Sequence, residues 1–513
     1  MYLENLYTMY KLTYHLVTNN DYELIHMDTN EIWLEKYSKK KSKVVRLTHN
    51  GFDWQNHLRK DIAIVFQKVK SMKKLLRGRD IEVHNIYIST YTPVDDWEIL
   101  KKPMQLKEKK PVKMKIYYLH DEEYFDELVR IQTSLQISEF HLEDQPTEDE
   151  METEIDAFKK YFFQLLEDKR KETQEIFTYG KPRFTYLLIT VNLIVFFLLE
   201  KYGSSTSIDT LIDFGAKYNP AIIEDRQWWR IFSSMFLHIG LLHLFMNMLA
   251  VYYLGTLIER IYGSLRFLLI YFLAGVGGGI ASFAFTTSVS AGASGVIFGL
   301  FGALLFFGLN YKQIFFRTMG VNVLMILAIN IVVGLTVQQI DMAAHLGGLL
   351  AGFIASAIFH LPKKKNMNIQ LLAIFIYIAS LLGFVYIGVV NNLNNQSYHL
   401  QLIEKSLTEK NYEDVVKLAT TALDKEGDHE GVLLFQRSYA YIELNEIDLA
   451  IKDLEESISY ESLPEAHYNL ALLYYNNEQM EKAEEHIRIA YNRKDDLNGV
   501  KDLYEKITGE VVD

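Results

Sequence analysis

From residue 231 to residue 361 the chain carries only six formal charges: Glu259, Arg260, Arg266, Lys312, Arg317 and Asp341. Soluble domains run near a quarter charged, so a stretch of this length and polarity is built to face hydrocarbon. Mean hydropathy over the whole chain is -0.01, a value that averages one apolar middle with two polar flanks. Runs of about 18 or more apolar residues, each long enough to cross a hydrocarbon core of about 30 Å, fall at 184 to 199, 231 to 257, 265 to 287, 294 to 311, 320 to 338, 342 to 361 and 369 to 390. The expectation is a polytopic helical membrane core of seven spans.

Residues Met1 to His26 mix polar and aromatic types without a long apolar core, so the first span, not a cleavable signal, is expected to set the topology. Glu259, Arg260 and Arg266 lie between spans two and three, Lys312 and Arg317 between four and five, and Lys363, Lys364 and Lys365 after six. The alternate loops at 288 to 293 and 339 to 341 hold no lysine or arginine. Positive residues stay on the cytoplasmic side, which puts the N-terminus inside and, with an odd number of spans, the C-terminus outside. The loop from 200 to 230, with Lys201, Lys217, Arg226 and Arg230, runs against this pattern without reversing it.

Two polar side chains sit within these spans at places that suggest chemistry. Ser294 lies in Gly292-Ala293-Ser294-Gly295 at the mouth of span four, and His345 in Ala344-His345-Leu346-Gly347-Gly348 near the outer end of span six. Intramembrane polar groups are costly unless they pair or line a wet cavity, which makes them functional candidates. The topology gives them similar depth. Gly295, Gly299 and Gly302 on one helix and Gly348 and Gly352 on the other have the spacing of small residues that lets helices approach closely. The bland alternative is a packing motif with an incidental serine. A serine hydroxyl becomes nucleophilic when a neighbouring base takes its proton, and a histidine suits that role at neutral pH. Asp341, four residues before His345, is read as a helix cap and not as a third catalytic member.

Upstream stand Trp228-Trp229-Arg230, His238 and His243-x3-Asn247. With the Gly-x-Ser-Gly turn and the Ala-His-x2-Gly helix, these occur in the order seen in rhomboid intramembrane serine proteases, which the chain resembles over roughly residues 180 to 362. The resemblance implies a Ser294–His345 dyad, with Ser294 attacking and His345 acting as base and then acid. It implies that His243 and Asn247 supply donors to the oxyanion beside the backbone N–H of Ser294; such donors are commonly worth about 3 to 4 kcal/mol each. By the same resemblance His238 supports the outer loop and water site, Gly292, Gly295, Gly348 and Gly352 shape the turn and helix contact, and Trp229 and Arg230 match a structural outer-loop motif, as Glu259-Arg260 match the cytoplasmic end of span two. Family members often carry tyrosine four residues after the nucleophile; Phe298 keeps the aromatic face and loses only the hydroxyl. The expected activity is endopeptidase cleavage in or next to transmembrane segments of membrane proteins, with no cofactor required for catalysis. The alternative is a catalytically silent membrane adaptor. A zinc protease is excluded at the level of motif: the only His-Glu pair is His429-Glu430, and Leu433 stands where the second histidine would be.

The flanks read as two further domains. Residues 401 to 513 hold 26 acidic and 12 basic side chains, and Asn445 to Ala450 is echoed by Glu478 to Ala483 and by Asn411 to Val416. A period near 34 resembles tetratricopeptide repeats, with Pro464, Ala466, Ala471, Tyr474, Ala483 and Ala490 at turn and packing positions; an all-α domain that binds a protein partner is expected. Residues 1 to 150 read as a mixed α/β domain, with strands at 43 to 49, 81 to 90 and 112 to 119 and helices at 53 to 76 and 121 to 137. His49, Asp53, His57 and Asp61 are the only group there that suggests a site, for a regulatory divalent cation, with solvated surface as the alternative. The lysines from Lys101 to Lys115 suit anionic lipid, and the acidic run at 142 to 156 reads as a linker.

The resulting organisation is 1-150 cytoplasmic α/β domain, 151-182 linker and helix, 183-362 rhomboid-like core of six spans, 363-396 a seventh span and linker, and 397-513 repeats. This layout resembles rhomboids of Bacillus-type bacteria and implies a bacterial cell-membrane protein whose partners are the lipid bilayer, membrane-protein substrates and a ligand of the repeats, not nucleic acid. The chain has no cysteine, which excludes disulfides and thiol catalysis.

Overall fold

The computed structural model describes the chain except residues 1, 39–40, 73–75, 77, 79, 107–111, 141–145, 495 and 512–513. Part of the lysine run and the start of the acidic run therefore lie outside the described residues; from Glu148 onward that run is helical and not the expected linker.

The N-terminal domain is an α/β sandwich. Among the described residues its sheet has six strands in the order β1-β2-β3-β4-β6-β5. These are β1 (Glu23–Met27), β2 (Glu31–Ser38), β3 (Lys41–Thr48), β4 (Asp80–Ile88), β5 (Met104–Leu106) and β6 (Val112–Leu119). The first three form an antiparallel meander; β3, β4 and β6 run parallel, with Thr48 opposite Tyr87 and Tyr87 opposite Tyr118. Side chains alternate between two faces. Ile32, Leu34, Val45, Leu47, Ile86 and Leu119 pack under the helices Tyr2–Asn19, Tyr124–Leu135 and Glu148–Thr178, whereas Trp33, Val44, Val83, Met114 and Ile116 pack under Gln55–Met72. The Glu148–Thr178 helix opens with a capping box between Thr147 and Glu150.

In the membrane region the helices Phe184–Tyr202, Gly240–Tyr262, Ser264–Phe285, Met342–Phe359 and Met367–Leu393 are each long and apolar enough to cross a bilayer. Lys312–Thr318 and Gly320–Thr336 make a pair bent by 74°, and Ser294–Asn310 is a shorter apolar helix of 17 residues. The seven expected apolar segments are therefore helical, with the second, expected at 231 to 257, displaced to Gly240–Tyr262. The second begins at Gly240, not at 231: residues 230–236 form short helical turns, and Gly240, with φ of +75°, starts the long helix at an angle open mainly to glycine. A π-helical turn at Val251–Gly255 interrupts this span without ending it.

The C-terminal region is a run of antiparallel helices from Gln396–Thr408 to Val500–Thr508. Lys410, Asn445 and Glu478, all with φ near +60° (57°, 61° and 59°), recur at equivalent inter-helix turns. Ala450, Ala466, Ala471, Tyr474, Ala483 and Ala490 are buried in one core, where small side chains let successive hairpins stack.

Candidate active site

Ser294 is the first residue of its helix. At 1.5 Å per residue its 17 residues span about 25 Å, less than a hydrocarbon core of about 30 Å. The turn before it needs Gly292, whose φ is +147°. Gly292 N–H donates to Ser234 O at 2.9 Å, which holds the turn against the segment before span two. The first helical bond runs from Ile297 N–H to Ala293 O at 2.9 Å. The N–H groups of Ser294, Gly295 and Val296 are thus left without an intrahelical partner.

His345 lies in the first turns of the Met342–Phe359 helix. Asp341 is the N-cap: its carboxylate accepts from Ala344 N–H at 2.9 Å and also from the Ser282 hydroxyl. It therefore fixes the helix, not the imidazole, whose Nδ1 is buried without a hydrogen-bond partner. The ring is held instead by Phe298, stacked at 4.2 Å between centroids with an interplanar angle of 15°. The two helices touch backbone to backbone. A Cβ on Gly348 would run into the Gly295 carbonyl, one on Gly352 into the Gly299 carbonyl, and one on Gly295 would stand 3.2 Å from Ala344 O.

His243 and Asn247 approach the same turn from span two. A Cβ on Gly292 would stand 2.8 Å from Cε1 and 3.2 Å from Nε2 of His243, so this ring lies against the glycine two residues before Ser294. Ile239 N–H points to His243 Nδ1 at 3.4 Å. An accepting Nδ1 leaves the proton of the neutral imidazole on Nε2, the nitrogen that faces the turn. Asn247 uses one amide N–H on His243 O at 2.9 Å, one turn earlier, and keeps the other. His238 is fully buried, its ring 5.4 Å from that of His243, and Ala293 N–H points to its Nε2 at 3.5 Å.

Trp229 and Arg230 belong to the loop after span one. Arg230 donates to Ile212 O at 2.5 Å, Ala216 O at 3.3 Å and Gln227 Oε1 at 2.7 Å, with its guanidinium 5.0 Å from the Trp229 ring. It stitches this loop and does not reach the turn. The N-terminal cation candidates are not drawn into one ligand set: among the described residues no three His, Asp or Glu groups are close enough to hold a metal. The physical reason is that Asp61 is committed to the buried Arg46 at 2.8 Å and to the Tyr87 hydroxyl at 2.6 Å, while His49 packs against Tyr2 with ring centroids 5.3 Å apart.

Residues 225–362 match the rhomboid domain, and residues 432–462 and 464–496 match the tetratricopeptide repeat. The chain is 38% identical over 474 residues to Rhomboid protease GluP of Bacillus subtilis (strain 168), which covers 91% of both chains. It is 30% identical over 200 residues to Putative rhomboid protease YdcA of the same organism, covering 38% of this chain and 98% of the relative. RHOMBOID-like protein 2 of Arabidopsis thaliana is 39% identical over 155 residues, 30% of this chain and 48% of the relative. A core of apolar membrane-length helices that matches the rhomboid domain and rhomboid proteases defines a multi-pass membrane protease. The chain belongs to the rhomboid family and combines a rhomboid-type protease core with C-terminal tetratricopeptide repeats.

Proposed function

We propose that the chain is an endopeptidase of the bacterial cell membrane that cuts membrane proteins in or beside their transmembrane segments, using Ser294 as nucleophile and His345 as base. The N-terminal domain then lies in the cytoplasm and the repeats outside. The Ser294 hydroxyl attacks a peptide carbonyl as His345 takes its proton; the same imidazole returns a proton to the leaving amine, and water then hydrolyses the acyl-serine by the reverse roles. Oxyanion charge is met by the Ser294 N–H, His243 Nε2–H and the free amide N–H of Asn247. The observation that carries this reading is the backbone contact of the two helices at Gly295 and Gly348, with His345 stacked on Phe298 one turn along from Ser294.

A carbonyl in a regular helix is already hydrogen-bonded, and freeing it in hydrocarbon is costly. Substrates whose spans unwind near the outer surface are therefore the ones such a site accepts. The test is incubation of the purified full chain, in vesicles, with a model transmembrane substrate. Ser294→Ala and His345→Ala are each expected to abolish cleavage; cleavage that persists in Ser294→Ala, with contaminating proteases excluded, overturns the reading.

A further inference from the structure

The helix Ser264–Phe285 ends nine residues before Ser294, and like any helix it leaves its last carbonyls without intrahelical donors. Those carbonyls are taken up by side chains from elsewhere in the chain. Asn391 Nδ2–H donates to Ala284 O at 3.1 Å and Asn392 Nδ2–H to Phe283 O at 3.0 Å, both from the end of the seventh span. The following loop is held in the same way. Thr286 O accepts from Lys217 Nζ at 3.0 Å and from Asn219 Nδ2 at 2.9 Å, and Asn219 in turn donates to Asn392 Oδ1 at 2.7 Å. Thr287 O accepts at 2.9 Å from Gln401, on the first helix after the seventh span.

Lys217 then pairs with Ser290 as an antiparallel bridge, its N–H to Ser290 O at 2.9 Å and Ser290 N–H to Lys217 O at 3.1 Å. Gly292 follows, on Ser234. From Phe283 to the turn that carries Ser294, the backbone is thus held at nearly every second residue. Lys217, Asn219 and Asn392 are buried, so no water substitutes for the amides and the ammonium. Beside them lies a cleft of about 810 Å³, lined by Thr286, Thr287, Asn394, Asn395 and Glu426 among others. Gly388 and Phe384 of the seventh span pack on Phe283 and Phe285, and within that packed joint the named hydrogen bonds aim the backbone of the loop.

We infer that Asn392, with Asn219, and Gln401 are positioning residues for catalysis: through them the seventh span and the first helix of the repeat region set the geometry of the loop that presents Ser294. This rests on the Ser294–His345 reading above. None of these side chains touches the reacting atoms. Displacing a catalytic group by about 1 Å can cost up to about a hundred-fold in rate, whereas substrate capture by the spans is untouched.

The test uses the full chain in vesicles, comparing wild type with Asn392→Asp and Gln401→Glu, near-isosteric changes that each remove an amide donor. A control, Tyr377→Phe, removes a different bond between the same two helices, Tyr377 hydroxyl to Leu273 O at 2.8 Å. Expected are a kcat lowered about ten- to a hundred-fold in the two variants, KM within twofold of wild type, slower labelling of Ser294 by a small fluorophosphonate, and a control that matches wild type. Should Asn392→Asp fail to fold, Gln401→Glu alone decides. Wild-type kcat and labelling rate in a folded Gln401→Glu protein, or an equal loss in Tyr377→Phe, overturn the inference. Those outcomes leave the dyad standing, whereas cleavage by Ser294→Ala removes the dyad and this inference together.

Discussion

The ring of Phe298 lies flat on that of His345, with centroids 4.2 Å apart. Hydrolases with a third catalytic member orient the imidazole through an acid at Nδ1; here that nitrogen is buried without a partner, and the acid on the same helix is spent on the cap. In the proposed mechanism the stacking face takes over the orienting role. Aromatic pairs of this kind contribute about 0.5 to 1.5 kcal/mol, so Phe298→Ala should lower kcat/KM by up to about tenfold and Phe298→Tyr should retain it. Steady-state kinetics on the transmembrane substrate check both, and an undiminished Phe298→Ala would remove the stack from the mechanism.

Asn247 is expected to act on the transition state. Its free amide N–H has no role until charge develops on the carbonyl oxygen, and loss of one such donor commonly costs about a hundred- to a thousand-fold in kcat. Asn247→Ala should show that loss with little change in KM. A variant that raised KM at constant kcat would make Asn247 a substrate-binding group instead.

Much of this was legible in the residues because it rests on composition and short spacing. The seven apolar segments, the glycines at i, i+4 and the Asp341 cap each depend on neighbours in sequence, and helices follow from them. The start of span two was misread at 231 because hydropathy does not register a positive φ at Gly240 or the short turns before it. In the N-terminal domain β3, β4 and β6 stood close to their expected places, yet β1, β2 and the Tyr2–Asn19 helix were not read. The apolar residues of that helix follow no run long enough to stand out, and their burial is decided by the sheet. Asp61 looked free beside His57 because its partner Arg46 sits fifteen residues away on a strand. The hold on the loop before Ser294 was out of reach for the same reason. Asn391 and Asn392, two asparagines in succession at the end of an apolar span, were its only local sign, and their partners are 107 and 109 residues distant.

The repeat region carries a pH-dependent contact. His467 is buried between helices, with Nδ1 at 2.9 Å from Nδ1 of His486 and Nε2 at 2.8 Å from the Ser462 hydroxyl. Burial, then the neighbouring His486 and Arg493, push its pKa down to about 4; Tyr474, stacked on His486, and Glu455, Lys482 and Glu485 complete the charged and titratable surroundings. The folded state therefore resists a proton that the unfolded chain accepts near about 6.5. Stability is full above that pH and falls as pH drops from about 6.5 toward 4. Protection factors for the Pro464–Asn476 amides should decline over this window and the decline should shrink in His467→Asn. Equal slopes in the two proteins would assign the effect elsewhere.

The last prediction concerns the opposite end of span two. Glu259 is fully buried, and its carboxylate accepts from Arg183 N–H at 2.9 Å, Phe184 N–H at 3.0 Å, Thr185 N–H at 2.8 Å and the Thr185 hydroxyl at 2.7 Å. One side chain thus satisfies the first donors of span one and meets the positive end of its dipole. In Glu259→Ala those N–H groups are left buried and unpaired, at about 1 to 3 kcal/mol each, of which local rearrangement and water recover a part. The melting temperature should fall by about 5 to 10 °C. Because the carboxylate acts on the span's anchoring and lies at the other end of the helix from His243, kcat/KM measured well below the transition should stay within twofold of wild type. A variant that melts like wild type but has lost activity would place Glu259 in the catalytic path and not in the scaffold.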